Sequence, residues 1–262
     1  MRTFALRRSR RAAPLLLLFV LLASITGVAA VAQSQAADAT IAEATADDLA
    51  EGQKIFAANC ATCHGIDAQG TEGVAPSLVG VGAAAVNFQV GTGRMPAQAS
   101  GPQAPSKPKQ FNEEQQAQLA AFVASLGPGP AIPTDEQVDP TLGNPATGMA
   151  LFRTNCAMCH GSVGGGGALT QGKYAPSLME TEPRHIYEAM LTGPQSMPVF
   201  NEANISPEGK RDIIAFLVAQ RDCSAGGDGL GTIGPVAEGL WGWMIGLGLI
   251  VAITVWIGAR SS

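Results

Sequence analysis

The chain has 262 residues, of which 46% are hydrophobic and 5% aromatic, and its formal net charge is −5. This length allows one or two domains that each have a core of their own. The acidic balance argues against a nucleic-acid-binding protein, because such proteins neutralise phosphates with Lys and Arg. The apolar content is too high for a disordered chain. The residue types that carry the most information are scarce, namely 5 Cys and 3 His.

The first 32 residues have the pattern of an export signal. Five arginines lie between Arg2 and Arg11, and an apolar run over 12–32 follows, ending in small residues. A basic stretch, an apolar core and a small-residue cleavage site are typical of secretory signals. The run is long for such a signal, so cleavage and retention as a signal anchor both stay open. Either outcome predicts export of the following chain, beginning with an Ala-rich spacer at 33–46.

A second apolar run, 239–259, predicts a C-terminal transmembrane helix. Twenty-one residues span about 31 Å as a helix, close to the roughly 30 Å of a hydrocarbon core. All 3 tryptophans lie near the ends of this run, and Arg260 follows it on the predicted cytoplasmic side. Between the basic ends, residues 33–259 hold 10 basic and 21 acidic residues, a net charge of −11. This charge favours solubility more than the steering of a cationic partner.

The middle of the chain contains an internal repeat. Five features recur in the same order at offsets of 94 to 102 residues: Gly-x-x-x-Phe (52–56, 148–152), Cys-x-x-Cys-His (60–64, 156–160), Ala-Pro-Ser-Leu (75–78, 175–178), Met-Pro (95–96, 197–198) and an apolar Ala-Phe pair (121–122, 215–216). Five matches in order indicate a duplicated domain. We predict a first domain at 47–126, a Pro-rich semi-rigid linker at 127–147, a second domain at 148–222 and a Gly-rich tether at 223–238.

The predicted secondary structure of both repeats is helical, and the fold class is mostly α. Residues 47–59 form a predicted first helix. The closing helix of the first repeat is predicted to start at Asn112, a good N-cap with Gln115 at the capping-box position. That of the second repeat follows Ser206, with Pro207 at the favoured first position. No segment alternates between apolar and polar residues for long, which argues against a substantial sheet.

Each Cys-x-x-Cys-His motif indicates covalent attachment of a c-type haem. Zinc would need four converging protein ligands, and a thioredoxin-type pair would need a βαβ unit. Disulfides are possible in an exported protein, but none of these explains the histidine that follows directly. The two sulfurs would bond to the porphyrin vinyl groups, and the histidine would lie beneath the iron. The motifs therefore predict two covalent haem c groups, held by Cys60, Cys63, Cys156 and Cys159, with His64 and His160 as axial ligands.

The sixth iron ligand is predicted to be methionine. Met95 is the only methionine between residues 3 and 148, and it lies in a Gly- and Pro-containing loop. Met197 matches it in the second repeat, where Met179 and Met190 also follow the motif, and Met190 fits core packing better. His/Met ligation raises the reduction potential and leaves no open position for a substrate. It therefore predicts electron transfer rather than bond-making catalysis.

Several other residues near the motifs have weaker assignments. The Pro76 and Pro176 carbonyls are predicted to accept a hydrogen bond from the proximal histidine rings, because such rings are usually oriented this way. His185 has no counterpart in the first repeat and is expected on a helix surface, with axial ligation as the alternative. Arg94 is expected to be a surface charge rather than a propionate partner. Cys223 is an odd thiol, either a spare small residue or a partner for another subunit.

Both repeats resemble the class I cytochrome c fold in their Gly-x-x-x-Phe helix, haem motif, Pro-Ser-Leu and Met-Pro loops and closing helix. An export signal, two tandem haem domains and one C-terminal anchor together resemble the dihaem cytochrome c subunits of actinobacterial cytochrome bc1 complexes. The resemblance implies an electron-transfer subunit of a menaquinol:cytochrome c oxidoreductase in the cell membrane. It implies cytochrome b and the Rieske iron–sulfur protein as partners, a cytochrome oxidase as electron acceptor, and haem domains on the extracytoplasmic side.

Two other functions stay open on the sequence. One is a tethered dihaem carrier that serves a periplasmic dehydrogenase or another oxidase. The other is a haem peroxidase, which would need an open or labile position on the iron.

Overall fold

The computed structural model describes residues 44–99, 101–222 and 235–260. The predicted export signal, most of the spacer, the tether up to residue 234 and Cys223 lie outside the described residues. The chain divides after Gln220 into two compact units, which are described separately.

The first unit is mostly helical and contains both copies of the repeat. Its α-helices are α1 (Ala46–Asn59), α2 (Ala61–His64), α3 (Gly82–Gly91), α4 (Glu113–Ser125), α5 (Asp135–Val138), α6 (Pro145–Asn155), α7 (Ala157–His160), α8 (Pro183–Thr192) and α9 (Pro207–Asp222). Short 3₁₀ turns cover Pro140–Leu142 and Thr170–Gly172. The strands β1 (Gly167–Ala168) and β2 (Tyr174–Ala175) pair antiparallel, with Gly167 opposite Ala175. Among the described residues this is the only sheet, as the lack of alternation predicted.

The helix starts follow from local capping chemistry. α4 begins after Asn112, whose side chain accepts a hydrogen bond from the Gln115 backbone N–H, while the Gln115 side chain accepts one from Asn112. This is the predicted capping box. α9 begins at Pro207, and the Ser206 hydroxyl accepts a hydrogen bond of 3.1 Å from the Gly209 N–H. Both predicted helix starts are confirmed.

The first and last helices of each copy cross at a glycine. A Cβ atom placed on Gly52 of α1 would lie 2.1 Å from the carbonyl oxygen of Gln118 in α4. A Cβ atom on Gly148 of α6 would lie 1.8 Å from the carbonyl oxygen of Asp212 in α9. Only a residue without Cβ allows backbones to approach this closely. The repeated glycine therefore sets the distance between the two helices that frame each domain.

Phenylalanines one helical turn further on fill the space beside each crossing. The ring centroids of Phe56 and Phe122 lie 5.3 Å apart, and those of Phe152 and Phe216 lie 5.4 Å apart. Both pairs are tilted by 47°, so the two copies repeat the same packing. Phe56 and Phe152 are almost completely buried, and each belongs to the hydrophobic core of its own copy.

The segment predicted as a semi-rigid linker is packed and partly helical. It contains α5, the following 3₁₀ turn and the start of α6, which begins at Pro145. Val138 belongs to the second core, and the Pro130 carbonyl accepts a hydrogen bond of 3.1 Å from Ala84. The segment is partly helical because Pro140 and Pro145 each occupy the first position of a helical turn, where proline favours helix formation. A packed, partly helical segment therefore lies where the sequence predicts a semi-rigid linker.

The second unit contains α10 (Pro235–Arg260), a helix of 26 residues. Residues 239–260 of it form a stretch that is long and apolar enough to cross a membrane, and its most apolar part is not buried. In the part of the chain that the structure describes, this is the one candidate span. The last four residues of the predicted tether, 235–238, are helical instead, because proline again stands at the first position.

Candidate haem sites

The first Cys-x-x-Cys-His motif forms the short helix α2 directly after α1. The His64 N–H donates to the Cys60 carbonyl at 3.0 Å, which folds the histidine back over the motif. The imidazole is only 9% exposed, and its Nδ1 lies 2.8 Å from the Pro76 carbonyl oxygen. A carbonyl only accepts hydrogen bonds, so Nδ1 carries the proton and Nε2 keeps its lone pair for a metal ion.

The second motif repeats this geometry. The His160 N–H donates to the Cys156 carbonyl at 2.9 Å, and Nδ1 lies 3.0 Å from the Pro176 carbonyl oxygen. Burial lowers the pKa of His160 below its ordinary value, against a smaller opposing effect of the Pro176 carbonyl. The imidazole is therefore neutral at physiological pH, which is the form that ligates metal ions.

The loops that carry the two prolines are fixed by matching backbone hydrogen bonds. Gly70 donates to the His64 carbonyl and Gly166 to the His160 carbonyl, both at 2.8 Å. The two glycines have positive φ angles, 84° and 88°, and a Cβ on either would overlap the following Pro-Ser backbone. This explains why each proline carbonyl reaches the histidine of its own copy.

The first cysteine thiol of each motif lies in surroundings that disfavour charge. Burial, and to a smaller extent the neighbouring thiol, raises the pKa of Cys60 and of Cys156 to about 11. Cys63 and Cys159 lie one helical turn further along α2 and α7. A site that disfavours thiolates suits neutral thioethers, which is the state that sulfur takes when it bonds to haem.

Each predicted methionine ligand packs against the core of its own copy. The Met95 N–H donates to the Gln89 carbonyl at 3.0 Å, which anchors its loop to the end of α3. Met95 and Cys60 pack against the first core, and Met197 packs against the second. Met190 is only 2% exposed inside the second core, which agrees with the packing role expected for it. Axial ligation by Met95 and Met197 stays a prediction.

A cavity of about 500 Å³ brings the second set of site residues together. Five predicted residues line it: Cys156, Cys159, His160, Pro176 and Met197. The volume lies within the range of sites for small molecules and cofactors. One apolar cavity thus contains the sulfurs of two cysteines, the thioether of a methionine and a neutral imidazole with a free Nε2. This combination fits a covalently held haem.

Residues of the first copy also line this second cavity, and two sequence predictions are wrong for that reason. Arg94 is not a plain surface charge: its guanidinium lies 5.0 Å from the Phe88 ring centroid, burial lowers its pKa, and it lines the cavity. His185 is not on the surface: it is only 6% exposed and contacts α3 of the first copy. No repeated motif marks either contact, so sequence reasoning could not find it.

Two family models match the chain, one on each copy of the repeat. Residues 49–127 match the model described as cytochrome c. Residues 143–217 match the model described as cytochrome C oxidase, cbb3-type, subunit III.

Curated relatives match the two copies together with most of the remaining chain. The cytochrome bc1 complex cytochrome c subunit of Corynebacterium efficiens is 43% identical, covering 90% of this chain and 86% of the relative. The subunit of the same name from Mycobacterium bovis is 43% identical, covering 97% of this chain and 93% of the relative. The chain belongs to the family of cytochrome bc1 complex cytochrome c subunits. Its fold is confirmed as two tandem cytochrome c domains, and its cofactors as two covalently bound haem c groups.

One solved structure resembles this chain weakly. A chain of the Kuenenia stuttgartiensis reducing HAO-like protein complex matches with a TM-score of 0.33 and 14% identity. The match covers 68% of this chain and 97% of that one, and it is too weak to carry an argument.

Proposed function

We propose that this cytochrome bc1 family member is the membrane-anchored dihaem electron-transfer subunit of a menaquinol:cytochrome c oxidoreductase. It accepts electrons from the Rieske iron–sulfur protein and relays them through its two haem domains to a cytochrome oxidase. The observation that carries the proposal is the repeated geometry of His64 with Pro76 and His160 with Pro176 in one chain. Two equivalent cofactor sites in a single chain suit a relay with an entry and an exit.

The proposed ligands give each domain a closed coordination sphere. The haems would be held through thioethers by four cysteines, Cys60, Cys63, Cys156 and Cys159. His64 and Met95 would bind the iron in domain 1, and His160 and Met197 would bind it in domain 2. When bound, each haem iron accepts and releases one electron without bond-making chemistry. The proline carbonyls orient the imidazoles, and the methionines occupy the positions that peroxide would need. A peroxidase function is disfavoured for this reason.

The proposed membrane topology follows from α10. Its apolar stretch anchors the subunit, and Arg260 stays on the cytoplasmic side by the positive-inside rule. The haem domains, which precede the anchor, then lie on the extracytoplasmic side. There they meet the Rieske protein, and cytochrome b and the oxidase complete the membrane assembly. The name of the curated relatives supports partnership with the other subunits of a bc1 complex.

Purification in mild detergent through an affinity tag on this chain tests the proposal. We expect b-type and a-type haems in the spectrum of the purified material, together with cytochrome b, Rieske and oxidase subunits by mass spectrometry. An untagged strain taken through the same steps is the control. Recovery of the subunit alone would contradict the proposal and favour an independent tethered carrier. High-spin, peroxide-reactive haem would instead favour a peroxidase.

A second candidate is a carrier that serves a different oxidase. The match of residues 143–217 to the cbb3-type oxidase subunit III model favours it over a dehydrogenase partner. The same purification separates the two functions, because this candidate predicts oxidase subunits without the Rieske protein.

A further inference from the structure

A buried polar cluster joins the two haem domains where α3 of domain 1 packs against α8 of domain 2. We call Asn87, His185 and Glu188 the interdomain cluster. Asn87 Nδ2 donates to Glu188 Oε1 at 2.7 Å, and His185 Nδ1 donates to Glu188 Oε2 at 2.8 Å. Glu188 is 0% exposed, so its carboxylate depends on these two donors. His185 belongs to the same domain as Glu188, whereas Asn87 belongs to domain 1. Both carboxylate oxygens therefore have a hydrogen-bond donor only while the two domains are in contact.

The imidazole of His185 also fits a notch in domain 1. Its ring meets the Phe88 ring edge-on, with centroids 6.1 Å apart and an angle of 85°. A Cβ atom on Gly91 would lie 2.7 Å from His185 Cε1 and 2.9 Å from Nε2. Gly91 has a helical backbone, so a glycine is needed here for the space it leaves and not for an unusual backbone conformation. The imidazole occupies space that any side chain at residue 91 would take.

A second set of hydrogen bonds crosses the interface through the side chains of Gln103 and Gln195. Gln103 of domain 1 donates to the Tyr174 carbonyl and accepts from the Tyr174 N–H, both at 2.9 Å. The Ala104 N–H donates to Gln195 Oε1 at 3.1 Å. The two backbone N–H groups are therefore protected only while the domains are in contact. They provide local probes of the interface.

The interface borders the second haem site directly. Phe88, Gly91 and Arg94 of domain 1 line the same cavity as His160 and Met197 of domain 2. Domain 1 therefore supplies one wall of the second cavity. Any movement between the domains would change that wall and the separation of the two haem sites.

We propose that the interdomain cluster holds the two domains at one fixed separation, and so sets the rate of electron transfer from one haem to the other. The proposal rests on the relay function proposed above. Asn87, His185 and Glu188 are positioning residues, since they act by holding the two domains together rather than as predicted ligands of either haem. Removing the Asn87 donor leaves a buried carboxylate oxygen without a partner, which shifts the equilibrium towards separated domains.

The variant Gly91→Ala tests the notch with little risk to folding. Alanine favours helix more than glycine does, so α3 itself gains stability. The added methyl group overlaps the imidazole, so either the ring leaves its hydrogen bond to Glu188 or the domains move apart, and both changes weaken the interface. We expect hydrogen exchange at the Tyr174 and Ala104 amides to rise about tenfold, because overpacking is relieved by opening the interface. The Leu178 amide, which bonds to Gly164 within domain 2, is expected to keep its exchange rate.

The substitution Gly91→Ala is also made in a His185→Ala variant, which is the control for the overlap with the imidazole. With the imidazole gone, the methyl group of Gly91→Ala has space, so the second substitution is expected to cause no further opening. Asn87→Asp is nearly isosteric but places a carboxylate where Glu188 needs a donor, so we expect an effect at least as large as that of Gly91→Ala. Gln53→Glu, an exposed substitution on α1 with the same charge change, is the control.

The functional measurement is electron transfer between the two haems of the purified full-length holoprotein after flash photoreduction. We expect slower transfer in Gly91→Ala and Asn87→Asp with both haems still attached, after correction for any change in the reduction potential of the second haem, whose cavity Gly91 lines. Wild-type exchange at Tyr174 and Ala104 together with wild-type transfer rates would overturn the proposal. So would an equal effect of Gly91→Ala with and without His185. These experiments use the isolated subunit, so their outcome is independent of whether Rieske and oxidase subunits co-purify.

Discussion

The helix crossing at Gly148 gives the most direct test of how the second haem domain is built. Replacing Gly148 by Ala adds a Cβ atom that would lie 1.8 Å from the Asp212 carbonyl oxygen, where real contacts are not shorter than 3.0 Å. The obstacle is backbone, which cannot rotate away as a side chain can. α6 and α9 must therefore separate by about 1 Å.

The expected loss of stability follows from two opposing effects. Overpacking of a rigid contact costs up to about 3 kcal/mol. Alanine has a better helix propensity than glycine, which offsets about 1 kcal/mol of this cost. The net loss of about 2 kcal/mol corresponds to a fall of about 10 °C in the Tm of a domain of this size. α6 also carries Phe152, which lines the second cavity, so the movement reaches the haem site.

Thermal unfolding of the full-length holoprotein, followed by circular dichroism and haem absorbance, measures this loss. Gly52→Ala tests the equivalent helix crossing in domain 1, because its Cβ atom would lie 2.1 Å from the Gln118 carbonyl oxygen. Thr147→Ala, an exposed neighbour on α6, is the control and is expected to stay within about 0.5 kcal/mol of wild type. A Tm for Gly148→Ala equal to that of the control would refute the close crossing of the two helices.

The remaining predictions concern the iron ligands and the surface caps. Met95→Ala is expected to lower the potential of the first haem, and Met197→Ala that of the second, with both haems still attached; an unchanged potential in redox titration would contradict either assignment. Asn112→Ala removes the cap of α4 and is expected to cost about 1 kcal/mol in urea unfolding. Hydrogen bonds from Thr45 lower the pKa of Asp48, so this carboxylate stabilises the fold at neutral pH and loses its effect as the pH falls through the lowered pKa. The difference in urea midpoint between wild type and Asp48→Asn is therefore expected to shrink below about pH 4.

The parts of the fold that the sequence predicts are those in which local chemistry decides the structure. The capping box of Asn112 and Gln115 and the helix start at Pro207 involve residues a few positions apart, and both are present. The approach of His64 to Pro76 is longer in range, but it was predictable because the pattern occurs twice in the chain. Repetition supplies information that a single domain would not contain.

The parts that could not be predicted depend on contacts between the two copies. His185 has no counterpart in the first copy, so the repeat offers no clue to its position. Its imidazole lies against Gly91, which stands 94 residues earlier in the chain, and nothing in the sequence pairs these two positions. The packing of residues 127–147 also escapes prediction, because prolines are common both in extended linkers and at the first position of helical turns, where Pro140 and Pro145 lie.

The two domains have kept the same haem surroundings and differ where they meet. Backbone hydrogen bonds from Gly70 and Gly166 to the two motif histidines have the same length of 2.8 Å, as expected if both copies must hold the same cofactor. The interface pairs α3 with the corresponding helix of the other copy, α8, but the two helices carry different side chains there. Each partner needs different residues there, Asn87 and Gly91 on one side and His185 on the other. Duplication thus explains the two haem sites, whereas the contact between the copies depends on His185, which has no counterpart in the first copy.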